Sequence, residues 1–218
     1  MRVAFVHTVN GVLDTFRRQV ADALPELDTF HVLNEALLQE LLRGRDSAAV
    51  YAALAAELSI VEEMGAELIV MTCSSTSPGV DVARPRLGVP VLKIDDPMAR
   101  RAVQSGSTVG LVCTATSTLE ASTRLLHDHA AALDTTVTVE PVLLPAAYEA
   151  LHAGRQTEHD HIVLEAAREL ASRVDVLVLA QASLAHLQQP LADRVSVPVL
   201  ASPALLLEEL RARVETVA

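Results

Sequence analysis

A chain of 218 residues, half of them apolar, can close one large domain or two lobes of about 100 residues each. A formal net charge of −11 argues against nucleic acid and anionic membrane as partners, although a small anionic ligand is admissible because a local field can oppose the net charge. No window holds 18 uninterrupted apolar residues, so no membrane span is expected, and two Tyr, three Phe and no Trp leave core filling to Leu, Val and Ala.

The first apolar run, "RVAFVHT", reads as a strand entering a turn, and "MRVAFVHTVNG" lacks the h-region and cleavage site of a signal peptide. A second run, "DTFHVL", follows. Val50, Leu54, Leu58 and Val61 then recur at i, i+4, i+8 and i+11, the period of an amphipathic helix, with Gly65 at the C-cap position. "AELIVMT" reads as the third strand, and the turn after it carries Cys73. Ser77 fits an N-cap there, with Pro78 at the first helical position, a helix end that would lower the pKa of the Cys73 thiol. "VPVLKI" gives a fourth strand. The second half runs "TVGLVCT", "TVTVEPVLL", "VDVLVLA" and "VPVLAS". Ser117-Thr118-Leu119-Glu120 after the first of these fits a capping box. Ile162, Ala166, Leu170 and Val174 repeat the helical period. Ser202 and Pro203 open a last helix, to Val214, that packs back on a lobe.

Most of these runs show little alternation, which suits strands buried on both faces of a parallel sheet, and helical patterns lie between them. The order of runs also repeats. "VPVL" stands at 89–92 and at 197–200, 108 residues apart, and the same offset sets Cys73 against Gln181. We therefore expect an α/β fold of two pseudo-symmetric lobes, each a four-stranded, mainly parallel sheet flanked by helices: residues 1–98, residues 99–202, and a C-terminal helical segment 203–218. Ligands of open parallel sheets bind beyond the carboxyl ends of the strands. Those ends hold His7 to Asn10, Thr72 to Ser77, Thr114 to Thr118 and Gln181 to Ser183, an inventory of hydroxyls, amides and one thiol that suits a small anion.

Two cysteines are too few for a disulfide framework, and a reducing cytoplasm is expected. Cys73 reads either as a reactive thiol or as a buried structural one, and Cys113 as core. Gln181 has no accessible pKa, so it is either a hydrogen-bond donor to a developing oxyanion or a polar residue without a role. His7 reads as a structural histidine or as a thiol–imidazole partner of Cys73. Two histidine pairs, His127 with His129 and His159 with His161, are spaced i, i+2 with no carboxylate or Cys to complete a ligand set, so no metal site is expected. "QSGSTVG" precedes a strand rather than a helix, so nucleotide binding is unsupported, and no G-x-S-x-G elbow occurs.

Over nearly its whole length the chain resembles the aspartate/glutamate/hydantoin racemase superfamily. The resemblance rests on the duplication and on "VMTCSSTSPGVDVARPRLGVPVLKID", "VGLVCTATSTLEAST" and "VLAQASLAHL". It implies an isomerase or lyase of amino-acid or related metabolism that works without a cofactor on a small carboxylate, with a homodimer compatible. In that family each lobe usually gives one catalytic thiol. Cys73 falls on the first, and the second is replaced here by Gln181. The resemblance assigns substrate-binding roles to Thr114, Ser117 and Thr118, and His7, Asn10, Ser74, Ser75 and Ser183 join them as strand-end candidates. One thiol makes symmetric two-base racemisation doubtful. Decarboxylation with one-face protonation, cis/trans isomerisation by thiol addition, and slow racemisation through water stand as alternatives. A non-catalytic carboxylate-binding or regulatory protein and a Cys–His hydrolase using His7 are the readings from other classes.

Overall fold

All eight apolar runs form strands in a computed structural model, which describes residues 1–217. The chain divides into two compact units: residues 1–94 together with the chain from Leu206 onward, and Asp95–Leu205. In the first unit β1 (Arg2–His7) is followed by α1 (Asn10–Ala23), β2 (Asp28–Leu33), α2 (Glu35–Leu42), α3 (Ser47–Glu63), β3 (Leu68–Met71), α4 (Pro78–Ala83) and β4 (Val91–Lys93). The second unit holds α5 (Asp96–Ser105), β5 (Thr108–Cys113), α6 (Thr116–Ala132), β6 (Thr138–Leu143), α7 (Pro145–His152), α8 (Gln156–Leu170), β7 (Val176–Leu179), α9 (Gln188–Ala192) and β8 (Val199–Ala201). The final helix, α10 (Ser202–Val217), starts in the second unit and continues into the first. Among the described residues no helix is long and apolar enough to cross a membrane.

Both sheets are wholly parallel and share one order, β2-β1-β3-β4 and β6-β5-β7-β8. Their registers also correspond. Val3 pairs with Leu68 as Val109 pairs with Val176, and Ile69 pairs with Val91 as Leu177 pairs with Val199. The inner strands β3 and β7 are buried at every residue, because helices cover both sheet faces. The outer strands β2 and β6 are only half-buried. Pro141, which lacks a backbone N–H, is accommodated on the edge strand β6.

The predicted face of α3 is buried through Val50, Leu54, Leu58 and Val61. Gly65 ends it at φ +88°, the left-handed conformation that favours glycine. Three capping expectations differ in detail. Helix α6 begins at Thr116 with Ala115 as its cap, so Ser117 and Thr118 lie inside the first turn rather than forming a capping box with Glu120. Ser77 does hold the cap position of α4, but its hydroxyl donates to the Ser74 carbonyl at 2.9 Å instead of capping. Helix α10 opens one residue early, at Ser202 itself. At Ser77 a competing local hydrogen bond takes the hydroxyl, which composition alone does not encode, and the other two differences are shifts of a residue or two in the helix start.

Helix α4 follows directly on the Cys73 turn, and its seat is set by Gly79. A Cβ there would lie 2.9 Å from Leu54 Cδ2 and 3.2 Å from the Tyr51 Cα. Backbone, unlike a side-chain tip, cannot turn aside. Gly79→Ala is therefore expected to push α4 off α3 and to destabilise the protein by about 1–3 kcal/mol, read as a lower denaturant midpoint at unchanged slope.

Candidate functional site

At the carboxyl end of the first sheet, three polar side chains on adjacent strands form an ordered chain. Thr72 Oγ1 lies 3.0 Å from the Val6 carbonyl and 2.8 Å from His7 Nδ1, and His7 Nε2 lies 2.9 Å from His31 Nδ1. A carbonyl only accepts, so the Thr72 proton points to Val6. The Thr72 oxygen then accepts from His7 Nδ1–H, and His7 Nε2 accepts from His31 Nδ1–H. This one order satisfies every group with neutral rings. His7 is completely buried. Burial, then the neighbouring His31 and Arg17 charges, depress its pKa to about 3. With both ring nitrogens committed, His7 is a fixed part of the scaffold rather than a base for a neighbouring thiol.

Cys73 follows this network and is partly exposed at the start of the turn that leads to α4. The turn is held by the Ser77 N–H and hydroxyl, both donating to the Ser74 carbonyl, and Ser74 and Ser75 are buried within it. Asn10 stands at the first position of α1 and is exposed. Two neighbours escaped the sequence reading. Thr8, just past β1, has a buried hydroxyl oxygen without a hydrogen-bond partner. Its signal was the internal repeat, which pairs Thr8 with Thr114. Lys93, at the end of β4, is 5 % exposed, and its Nζ lies 2.8 Å from Asp81 Oδ2 on α4. A lysine at the end of an apolar run looks solvent-bound in sequence, and only the fold brings Asp81 to it.

In the second unit the corresponding loops are joined by a clamp. Gln181 Oε1 accepts from the Thr114 backbone N–H at 2.7 Å and from the Thr114 hydroxyl at 2.9 Å. Two donors on one atom fix the amide orientation, so the other end of Gln181 is the NH2 group. Both Thr114 donors, which the family resemblance assigns to a substrate carboxylate, are engaged by Gln181 in this structure. Ser117 is half-buried and Thr118 buried in the first turn of α6. Ser183 is exposed, and its carbonyl lies 3.0 Å from His186 Nδ1. Cys113 is fully buried, and burial pushes its thiol up to about 12 despite a hydrogen bond from the Ala115 backbone.

The histidines require a correction. His159 and His161 do not act as a pair: His159 is buried and His161 exposed. Instead Asp160, between them in sequence, and His186, from beyond β7, bring ligand atoms within 4.8 Å of one another and of His159. Expecting no completed ligand set overlooked both a carboxylate next in sequence and a partner that only the fold supplies.

The chain is a duplicated parallel α/β unit that presents hydroxyls, an amide and a thiol at its strand ends. The Asp/Glu/hydantoin racemase family model matches residues 6–210, and the chain belongs to that family. Among curated proteins none matches it by sequence. Among solved structures, a glutamate racemase from Bacillus anthracis is 15% identical, with 98% of this chain and 81% of that chain covered at a TM-score of 0.74. An allantoin racemase from Klebsiella pneumoniae is 18% identical, with 99% and 88% covered and a TM-score of 0.68. An aspartate racemase from Picrophilus torridus is 14% identical, with 92% and 88% covered and a TM-score of 0.67. At these identities the likeness is one of fold.

The buried histidine gives a pH signature. Between about pH 3 and pH 6.5 the unfolded chain protonates His7 and the folded chain does not. Stability is therefore complete above the ordinary histidine pKa and falls as pH drops through this window, by about 1.4 kcal/mol per pH unit for one group. Urea midpoints measured from pH 7 to pH 4.5 should fall accordingly, and His7→Asn should show a flatter slope whatever its stability at neutral pH.

Proposed function

We propose that the protein is a cofactor-independent enzyme acting on a small carboxylic or amino acid through Cys73. The observation that carries this reading is the contrast between its two thiols. Cys73 is partly exposed beyond the carboxyl end of β3, where family members place a catalytic cysteine, whereas Cys113 is sealed in the core and held protonated. By the same resemblance Gln181 stands at the position of the family's second catalytic cysteine. An amide neither removes nor returns a proton near neutral pH. It donates, and the Thr114 clamp leaves Gln181 its NH2 group for that purpose. An enediolate-like oxygen is the partner that such a fixed donor stabilises. The chemistry this supports needs one proton transfer at the reacting carbon, on one face. Protonation by Cys73 after loss of carbon dioxide from a malonate-like acid meets that requirement, and so does one-sided exchange of an α-proton. The Cys–His hydrolase reading loses its base, since both His7 nitrogens are engaged.

The test is a panel of amino acids, hydantoins, arylmalonates and maleate incubated in heavy water and followed by NMR. Proton exchange or carbon dioxide loss that disappears in Cys73→Ala supports the proposal. Binding without any turnover replaces it with a non-catalytic carboxylate-binding protein. Iodoacetamide should label Cys73 well before Cys113 between pH 6 and 9, as read by peptide mass spectrometry, and faster labelling of Cys113 would sink the assignment.

Gln181→Cys is the sharper variant. It places a thiol at the second position and at the same time releases the Thr114 N–H and hydroxyl from their present acceptor. One positioned acid–base group contributes about 10²–10⁴-fold. Exchange of the α-proton with formation of both enantiomers should therefore rise by a measurable part of that range for an acid that the protein binds.

A further inference from the structure

A second polar cluster lies next to the Gln181 loop, where the first turn of α8 meets the short 3-10 turn at Ala182–Leu187. Asp160 Oδ1 is 2.7 Å from His159 Nδ1, 2.9 Å from His186 Nε2 and 2.6 Å from Gln156 Nε2. The Gln156 Nε2 also lies 3.4 Å from His159 Nδ1 and 3.3 Å from His186 Nε2. Four side chains thus converge on one point, and two of them are imidazoles.

One proton of the cluster is fixed by its partner. His186 Nδ1 faces the Ser183 carbonyl at 3.0 Å, and a carbonyl only accepts, so Nδ1 carries a proton. With Nδ1 so engaged, Nε2 faces Asp160 Oδ1 at 2.9 Å, either as the second donor of an imidazolium or as a lone pair that a shared cation would take. A backbone carbonyl that fixes the Nδ1–H tautomer and frees Nε2 is the arrangement found behind metal-ligating histidines. His159 is completely buried, and its Nε2 has no partner. Only its Nδ1 faces the cluster.

We propose that His159, Asp160 and His186, with the Gln156 amide turned to present its oxygen, form a binding site for a divalent transition-metal cation such as Zn2+. Two imidazoles, a carboxylate and an amide oxygen are the borderline donor set that Zn2+ accepts in four-coordination. Bonds of about 2.0–2.2 Å require the donor atoms to stand slightly further apart than their present contacts, a displacement of tenths of an ångström that the exposed His186 and Gln156 can take up while the buried His159 stays fixed. The cation would tie the first turn of α8 to the chain segment immediately after Gln181. The site uses none of the groups assigned to the reaction at Cys73, so either proposal can fail alone.

The test uses the full-length untagged chain, stripped with a chelator and titrated with Zn2+ by calorimetry, with thermal melting in parallel. One Zn2+ per chain and a raised melting midpoint are expected. His186→Ala and Asp160→Asn, both at partly exposed side chains, should weaken binding at least about tenfold, whereas His161→Ala on the same helix should not. Zinc should also shift the ring-nitrogen NMR resonances of His159 and His186. No saturable binding, or binding unchanged in His186→Ala, overturns the proposal and leaves an imidazolium–carboxylate pair in its place.

Discussion

Burial of the central strands on both faces is the constraint from which the rest follows. A strand such as Leu68–Met71 or Val176–Leu179 has no solvent-facing side, so every residue must be apolar along its length. Polar chemistry can begin only where pairing ends. Thr72 and Cys73 therefore follow one strand, and Gln181 and Ser183 follow the other. The carboxyl ends of β1 and β5, with His7 and Cys113, are drawn into the same layer by register, since Val6 pairs with Met71 and Val112 with Leu179.

The two units resolve the same local problem with different chemistry. Where parallel pairing stops, the polar groups of neighbouring strand ends face one another and need partners. The first unit links Thr72, His7 and His31 into a neutral chain. The second turns the Thr114 N–H and hydroxyl onto Gln181. The second solution demands a side chain long enough to reach back across the sheet and end in an acceptor, which Gln satisfies and a thiol does not. The amide thus ties its own loop to the end of β5 through Thr114.

Strand positions, the repeat and the α3 face were legible because each is written as a period or an offset within a short window. The role of Thr114 was not legible. A threonine at a helix start signals anion binding equally well whether its donors face a ligand or a neighbouring amide, and the choice depends on a side chain 67 residues away. Thr8 failed for a different reason. It lay within a strand end already singled out, but its buried, unpartnered hydroxyl is a property of the fold. The Asp160 cluster combined both difficulties, a carboxylate concealed between two histidines and a third imidazole contributed by a distant turn.

A clamped amide also bears on which reaction the fold can support. Two-base racemisation of a bound acid requires two groups able to change protonation state in the course of one turnover. The Gln181 carbonyl is saturated by two donors and its nitrogen only donates, so its hydrogen-bonding pattern stays the same throughout. A group of fixed polarity lowers the energy of developing negative charge without favouring either stereochemical direction. On the proposed reading the stereochemical outcome then rests with Cys73 alone, and a product protonated from a single face is the consequence of exchanging a titratable partner for a permanent dipole.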